Sequence, residues 1–564
     1  MMEWKEMKRI KHRIRRLCIA SLGLISAFIF TQGASANTNL EFHEVASTVM
    51  INALQTQPKD SFLRKLYRHL FFVPVWIDED APSSFAKELF RQIKEDKTLE
   101  AASSLYRDTL RLEQKTQDVY AFNGTLSQKV DLEFKISKLY KGYADYALYG
   151  SINWGAFKDR LYNLKAQDIH AGWVTHKPTF GPISLIEHAA FSGSLAELFA
   201  QAVPKEYRYK ELRESLINYL EIQKNGGWAH VSLKGILKPG EAYAVVPLLR
   251  ERLRITGDYG ACRSQEENVY DTCLKDAVVH FQKRHGLTDK GIVGKNTIAA
   301  LNVPVEKRIK QMRLNLDRIK WLHERKSKRH IMINIPAFTL FFEEDKALRK
   351  QMKVITGKRK NPTPVFSNTV QTIVLNPHWN VPKSIIQKEM IPKLLKNPNA
   401  MAKERIEIHR GWGRNARKVS GGSVNWGRYR YSKTVPYRFA QVPGYHNALG
   451  KVKFLFPNQF LVYMHDTPTK RLFDHNVRAF SHGCIRLSQP IELLKIFSTF
   501  NDTVDFEKAE RRLEGANKAF LSLTSPVPVD IIYLTAYVDY DGLLQFRNDI
   551  YGYDKMQLKS YREW

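Results

Sequence analysis

The chain has 564 residues, and at the usual domain size of about 100–200 residues this length predicts three to four domains. Hydrophobic residues make up 43% and aromatic residues 12%, which is enough for packed cores and excludes a mainly disordered chain. The formal net charge of +31 favours anionic partners.

Residues 1–36 have the layout of a secretory signal peptide. Seven Lys and Arg side chains precede a short apolar run at Leu17–Phe30, and Ala34-Ser35-Ala36 offers small residues for cleavage. The alternative is an uncleaved membrane anchor, but a spanning helix needs about 20 apolar residues and this run is shorter. We therefore expect an exported protein, with membrane association if the signal is not cleaved. Export argues against a nucleic-acid partner and leaves the cell wall with its carboxylate-bearing peptides, anionic lipid and anionic polysaccharide as the available polyanions.

The four cysteines divide into three groups. Cys18 lies in the signal peptide. Cys262 and Cys273 are close in sequence and are candidates for a disulfide, since an exported chain meets an oxidising environment. Cys484 is then unpaired, and such a thiol is either a buried hydrophobe or a reactive group.

Residues 37–240 predict a helical N-terminal scaffold domain. Apolar residues recur at helical spacing, as in the stripe from Phe85 to Ile93 and the stripe from Leu132 to Tyr143. We read these stripes as core. No catalytic constellation occurs in this part of the chain.

Residues 241–303 predict a small three-helix unit in which Gly286 ends the second helix. The run 277–287 (Ala-Val-Val-His-Phe-Gln-Lys-Arg-His-Gly-Leu) and the run 289–302 resemble the peptidoglycan-binding module of wall enzymes. The resemblance implies docking of glycan or stem peptide without chemistry. The alternative is that the unit only braces its neighbours.

The rest of the chain changes from helix to strand. Residues 304–328 predict a linking helix, and residues 329–564 predict a β-rich domain with strands punctuated by Gly, Pro and Asn. The weakly patterned stretch 383–453 interrupts the strands and predicts an inserted lid, with a disordered loop as the alternative. The fold class is therefore α+β multidomain.

Two histidines and a cysteine lie close together in the β-rich part. An apolar strand ends on His465, and residues 481–487 read Ser-His-Gly-Cys-Ile-Arg-Leu. A cysteine attacks a carbonyl only as a thiolate, and because its ordinary pKa is about 8.5 a neighbouring imidazole must take the proton. We expect His465 to reach Cys484 from the next strand and His482 to share a strand face with it. Gly483 permits close approach of a substrate, and its N–H can hold an oxyanion beside that of Cys484.

Three other readings compete with this one. Cys484 could be a buried hydrophobe, although two nearby histidines disfavour that. His465, His475, His482 and Cys484 could bind zinc, but they contain no compact CxxC or HxxxH pair. In a papain-like protease the cysteine precedes its histidine, which is the reverse of the order found here.

His465 followed by the run 481–486 resembles the YkuD-type L,D-transpeptidase domain, a β-sandwich. Residues 376–382 (Asn-Pro-His-Trp-Asn-Val-Pro) and the tail 538–552 are similar to the larger Gram-negative members. With the helical region and the binding module, the resemblance to the large YcbB-like subgroup covers nearly the whole mature chain. One departure is Asp466, which stands where many members have Gly.

The resemblance implies a periplasmic wall-biosynthesis and cell-shape enzyme that needs no cofactor or metal and works as a monomer. Its donor and acceptor would be peptidoglycan stem tetrapeptides, joined as 3→3 cross-links through a thioester on Cys484 with release of terminal D-Ala. Carbapenems would acylate the same thiol. L,D-carboxypeptidase action, attachment of a protein to the wall and a non-enzymatic wall-binding scaffold remain as alternatives.

The resemblance also implies roles for individual side chains. Cys484 would be the nucleophile and His465 the base, with His482 orienting the site and Gly483 contributing to the oxyanion hole. The implied substrate contacts are Tyr463, Arg486, Trp379, Asn376 and Ser481.

Overall fold

The structure, a computed structural model, describes residues 35–233, 235–262, 266–411, 413 and 415–564. The predicted signal peptide, with Cys18, lies almost entirely outside this part of the chain. Within the described residues, no helix combines the length and the apolar character needed to cross a membrane.

The N-terminal region is helical, as predicted. Its helices are α1 Ser35–Gln55, α2 Phe62–His69, α3 Ser84–Glu95, α4 Ser104–Ala121, α5 Leu126–Tyr149, α6 Trp154–Asn163, α7 Pro182–Ser192, α8 Leu195–Ala202 and α9 Tyr209–Lys224. Helix α5 begins with a capping box formed by Thr125 and Gln128. Both predicted apolar stripes, on α3 and α5, pack into one core together with Trp76 and Leu66.

Glu133 is a carboxyl group buried in the core of these helices. It accepts hydrogen bonds from the Tyr67 hydroxyl at 2.6 Å and from the backbone N–H groups of Val75 and Trp76 at 2.7 and 2.8 Å. Burial outweighs these hydrogen bonds and raises the pKa of Glu133 to about 7.

We expect the helical region to gain stability as the pH falls from neutral. The folded state holds the Glu133 proton up to about pH 7, whereas the unfolded chain releases it near pH 4.5. The contribution, roughly 3 kcal/mol, is complete below the unfolded pKa and is lost as the pH rises through the folded pKa. Thermal unfolding on either side of this window measures it. Glu133→Gln is neutral at every pH and should remove this part of the pH dependence; an unchanged dependence would contradict the assignment.

The predicted three-helix unit consists of α10 Val246–Ile255, α11 Thr272–Arg284 and α12 Lys295–Leu301. Gly286 follows α11 with φ +63°, and its N–H donates to the Lys283 carbonyl at 3.1 Å. Cys262 and Cys273 are joined as a disulfide. The unit also touches the β-rich domain, because Arg547 Nη1 donates to the Arg284 carbonyl at 2.8 Å.

The rest of the chain forms a β-rich domain with an insertion. Its strands are β1 Arg329–Asn334, β2 Thr339–Glu344, β3 Ala347–Gly357, β4 Phe366–Leu375, β5 Trp379–Asn380, β6 Ile406–Arg410, β7 Arg417–Val419, β8 Tyr437–Gln441, β9 Val452–Leu455, β10 Met464–His465, β11 Ala479–Ser481, β12 Ile485–Leu487, β13 Ala519–Ile532, β14 Ala536–Val538 and β15 Leu544–Phe546. Its helices are α13 Val305–Ile319, α14 Lys383–Ile385, α15 Ile391–Lys396, α16 Ala400–Lys403, α17 Pro490–Ser498, α18 Phe506–Glu514 and α19 Tyr553–Leu558.

The main sheet has the strand order β11-β3-β12-β10-β9-β4-β13-β1-β2, and β2 also pairs with β3. The sheet therefore closes on itself around an apolar core that contains Ile331, Val354, Phe454 and Ile485. The α+β multidomain class and the β-rich C-terminal domain are confirmed.

Two predicted boundaries differ from the packing. Residues 37–240 were expected to form one helical domain, yet Trp154 and Phe157 on α6 and the following Trp173 lie in the core of the main sheet. The segment 304–328 was expected to be a linking helix, yet α13 is buried along most of its length against α9 and the sheet. Tertiary contacts of this kind leave no local signal in a helical stripe.

The insertion is a folded subdomain and not a disordered loop. We call residues 379–441 the insertion subdomain. Its sheet has the order β5-β8-β6-β7, and its own core includes Ile391, Trp426 and Phe439. Because β9 already belongs to the main sheet, the insertion ends before the predicted residue 453.

Candidate active site

The site lies on two adjacent parallel strands of the main sheet. Strand β10 pairs with β12 so that Met464 faces Ile485 and His465 faces Arg486. Met464 and Ile485 are fully buried and point to the core. Since side chains alternate along a strand, the residues next to them emerge together on the opposite face. This face brings together Cys484, His465, Tyr463 and Arg486.

The turn that carries Cys484 is held by its own hydrogen bonds. Gly483 has φ +112°, a conformation that favours glycine. The Ser481 hydroxyl donates to the Cys484 carbonyl at 2.5 Å and accepts from the Gly483 N–H at 3.1 Å. The Thr363 hydroxyl donates to the Gly483 carbonyl at 2.9 Å. Ser481, expected to contact substrate, instead shapes the turn, and the Gly483 N–H is engaged within it.

Cys484 is half-buried, and burial raises the pKa of its thiol. Hydrogen bonds with the Tyr463 backbone and side chain, and the charges of Lys453 and Arg486, act in the opposite direction without cancelling the effect. The group at neutral pH is therefore a thiol.

We expect alkylation of Cys484 by iodoacetamide to accelerate about tenfold per pH unit from pH 7 to pH 9, because only the thiolate reacts and its fraction grows with pH below the pKa. Intact-mass measurement at each pH follows the adduct, and Cys484→Ala supplies the background. A rate that levels off below pH 8 would contradict a raised thiol pKa.

His465 is buried, and its Nδ1 lies 2.5 Å from the Asp466 carbonyl oxygen. A carbonyl only accepts, so we assign the proton to Nδ1, which leaves Nε2 free to accept a proton. Burial, followed by the charge of Arg486, lowers the pKa of His465 to about 3. The imidazole is therefore neutral at pH 7, as a base must be before it acts.

Asp466 supports this histidine from the following loop. Its carboxylate accepts from the Lys451 N–H at 2.9 Å, from the Thr467 N–H at 2.7 Å and from the Lys470 ammonium at 2.6 Å. A Cβ on Gly450 would lie 2.2 Å from an Asp466 oxygen. Asp466, which stands where many members of the similar family have glycine, thus fits because residue 450 is a glycine.

His482 lies in the turn that precedes Cys484. Gly483, with φ +112°, separates β11 from β12, so His482 and Cys484 do not lie on one regular strand. The His482 Nε2 lies 2.7 Å from Glu389 Oε1 of the insertion subdomain and 3.3 Å from Lys358 Nζ. It joins the turn that carries Cys484 to the insertion subdomain.

Two expected substrate contacts serve the fold instead. Asn376 is buried and has φ +45°, and its Nδ2 donates to the carbonyl groups of Arg512 and Asn517 at 2.8 and 3.3 Å. Trp379 lies on β5, where it pairs with Gln441 and packs on the core of the insertion subdomain. Neither residue lies on the two strands that carry His465 and Arg486.

Lys453 is a member of the site that the sequence reasoning missed. It faces His465 across the β9–β10 pair, and its ammonium lies 3.7 Å from the centroid of the Tyr463 ring. The feature of the sequence that could have revealed it is a charged residue between two apolar ones, Val452 and Phe454, in a strand that precedes the histidine strand.

Among the described residues, no three His, Cys, Asp or Glu side chains converge in a way that could hold a metal ion.

The chain is similar to known proteins over several segments. Residues 328–505, which contain Cys484 and His465, match the family model for the L,D-transpeptidase catalytic domain (YkuD). Residues 61–216 match a scaffold domain, and residues 244–301 match a “Putative peptidoglycan binding domain”.

A curated relative from Haemophilus influenzae, described as a “Putative L,D-transpeptidase”, is 31% identical over 225 residues, which are 40% of this chain and 44% of that protein. The match thus spans less than half of the relative's length.

Similar solved structures are L,D-transpeptidases. One from Stackebrandtia nassauensis is 15% identical and covers 52% of this chain and 94% of that chain, with a TM-score of 0.22. L,D-transpeptidase 3 from Mycobacterium tuberculosis, with a faropenem-derived adduct, is 14% identical and covers 36% and 60%, with a TM-score of 0.17. TM-scores this low do not establish that these structures share the overall fold of this chain.

Proposed function

We propose that this chain, which carries a YkuD-type L,D-transpeptidase catalytic domain and a peptidoglycan-binding domain, forms 3→3 cross-links between stem peptides of the bacterial wall. The observation that supports the proposal most directly is that a thiol and a neutral imidazole, Cys484 and His465, lie on the same face of two paired strands. The proposed location is the periplasm, where this substrate lies.

The first half-reaction forms a thioester. His465 Nε2 takes the Cys484 proton as the sulfur attacks the carbonyl carbon of the third stem residue of a tetrapeptide donor. The bond to the terminal D-Ala then breaks, and His465 returns the proton to its amine. The N–H of Cys484 stabilises the oxyanion, because the Gly483 N–H is already engaged by Ser481. Arg486 and Tyr463 contact the donor beside the sulfur.

The second half-reaction transfers the acyl group. The side-chain amine of diaminopimelate on another stem attacks the thioester, His465 accepts its proton, and the sulfur leaves and is reprotonated. The strained ring of a carbapenem would acylate Cys484 in the same first step.

We propose that the insertion subdomain acts as a lid that keeps water from the thioester and so favours the amine. It meets the catalytic turn through Glu389 and His482, 2.7 Å apart, and Lys388 forms an ion pair with Asp168 in the segment after α6. The subdomain thus contacts the turn that carries Cys484 and the segment after α6.

Incubation of the purified protein with disaccharide-tetrapeptide, followed by mass spectrometry, tests the proposal. A 3→3 dimer with release of D-Ala is the expected product. Tripeptide alone would identify an L,D-carboxypeptidase instead. Absence of both turnover and a thioester adduct on Cys484 would refute enzymatic function and leave a wall-binding scaffold.

A further inference from the structure

Lys453 occupies the outer face of the main sheet beside the reacting groups. Its neighbours on β9, Val452 and Phe454, are fully buried in the core, so Lys453 points to the face that carries Cys484. Across the sheet it is opposite His465 on one side and Val374 on the other. Its ammonium is folded over the Tyr463 ring, toward the strand that adjoins Cys484.

This ammonium is half-buried, and burial lowers the pKa of Lys453; Cys484 opposes the shift and the nearby Lys518 adds to it. Within the described residues, no Asp or Glu is among the groups that act on this pKa. Lys518 lies exposed, 4.3 Å from the centroid of the exposed Phe520 ring. A partly desolvated cation without a counter-ion is unfavourable, and a bound anion would relieve the cost.

A second cation lies on the other side of the histidine. Arg486 faces His465 from β12, and its Nε is buried without a hydrogen-bond partner among the described residues. Lys453, His465 and Arg486 thus form one row across three strands, with the histidine between two cations. The row is adjacent to Cys484, so a ligand held there would lie beside the sulfur.

We infer that Lys453 binds a carboxylate of the acyl donor. This carboxylate is the one on the side chain of the diaminopimelate residue whose main-chain carbonyl Cys484 attacks. The inference rests on the proposed function and adds a specificity determinant to it. Strands β12 and β9 are two positions apart, about 10 Å. A diaminopimelate side chain places its carboxylate about 6 Å from its α-carbon. The lysine side chain, folded toward Tyr463, reaches across the remaining distance.

The test compares two donors that differ only in this group: a disaccharide-tetrapeptide with the free side-chain carboxylate of diaminopimelate, and the same compound as its carboxamide. Wild type, Lys453→Met, Lys453→Arg and Lys508→Met are each assayed for Cys484 acylation and for kcat and KM. Lys508 is a matched control, because its side chain is 77% exposed on α18 and pairs with Asp505.

We expect wild type to prefer the free acid. Lys453→Met should lower kcat/KM for the free acid about 10- to 100-fold, mainly through KM, as expected for removing one partner of a desolvated charge pair. The kcat/KM of Lys453→Met for the carboxamide donor should differ from that of wild type by less than about twofold. Lys453→Arg should retain most of the preference, and Lys508→Met should match wild type.

Other outcomes overturn the inference. Equal losses on both donors would mean that Lys453 serves Cys484 itself, and unchanged kinetics would mean that no carboxylate binds there. If Lys453→Met lowers the melting temperature, the test uses Lys453→Gln instead. The inference then requires that the folded Lys453→Gln variant lose the preference for the free acid. Wild type that consumes neither donor would refute the proposed function, which is a separate result.

Discussion

Cys484→Ala should abolish both turnover of the tetrapeptide and the covalent adduct, with a loss on the order of 10⁴-fold or more. No other described cysteine is free to substitute for it, since Cys262 and Cys273 are bonded to each other. The remaining donors of the site can still bind substrate but cannot form a thioester. Steady-state assays and intact-mass measurement with a carbapenem check both effects.

The same variant should remain folded. Cys484 is half-buried on the outer face of the sheet, and the turn is held by Ser481 and Thr363 through backbone carbonyls, which alanine retains. The melting temperature should therefore stay close to that of wild type. Retained activity in a folded Cys484→Ala protein would refute the assignment of the nucleophile.

His465→Asn should lower turnover about 10²- to 10⁴-fold, the range for loss of a general base. The asparagine amide can replace the Nδ1–H that donates to the Asp466 carbonyl, so the loop keeps its hydrogen bond. It cannot accept the thiol proton in place of Nε2. The deficit should appear in the acylation rate, measured by single-turnover mass spectrometry.

His482→Gln is the matched control for this variant. Its imidazole contacts Glu389 and Lys358 rather than the sulfur, and glutamine can keep one of these hydrogen bonds. We expect a loss of less than about tenfold, as for a group that orients other residues without transferring the proton. If His482→Gln were the more damaging change, the base assignment would have to move to His482.

Local sequence was sufficient to single out the proposed nucleophile and base. His465 ends β10 and Cys484 immediately precedes β12, and these two strands pair in the structure. The disulfide could be only a candidate from spacing, because spacing does not fix the distance between two Cα atoms.

The failures share a physical cause. The positive φ of Gly483 interrupts the strand between His482 and Cys484, and a backbone angle cannot be read from an alternating pattern. Asn376 and Ser481 look like ligands in a motif, yet their polar groups satisfy neighbouring backbone. Lys453 was missed because its importance depends on which strand lies beside β9, and strand order is a property of the whole chain.

The closure of the main sheet has a consequence for when the thiol and the imidazole become aligned during folding. Strand β13 is made after Cys484, yet it joins β4 to β1, where Ile331 pairs with Val529. Pairing over such a separation is slow, because much chain must be ordered before the contact forms. A chain that emerges from its N-terminus can therefore fold its helical region early but must await its last strands to complete the sheet that aligns thiol and imidazole. The protein would thus carry a chemically ordinary cysteine until β13 has joined the sheet.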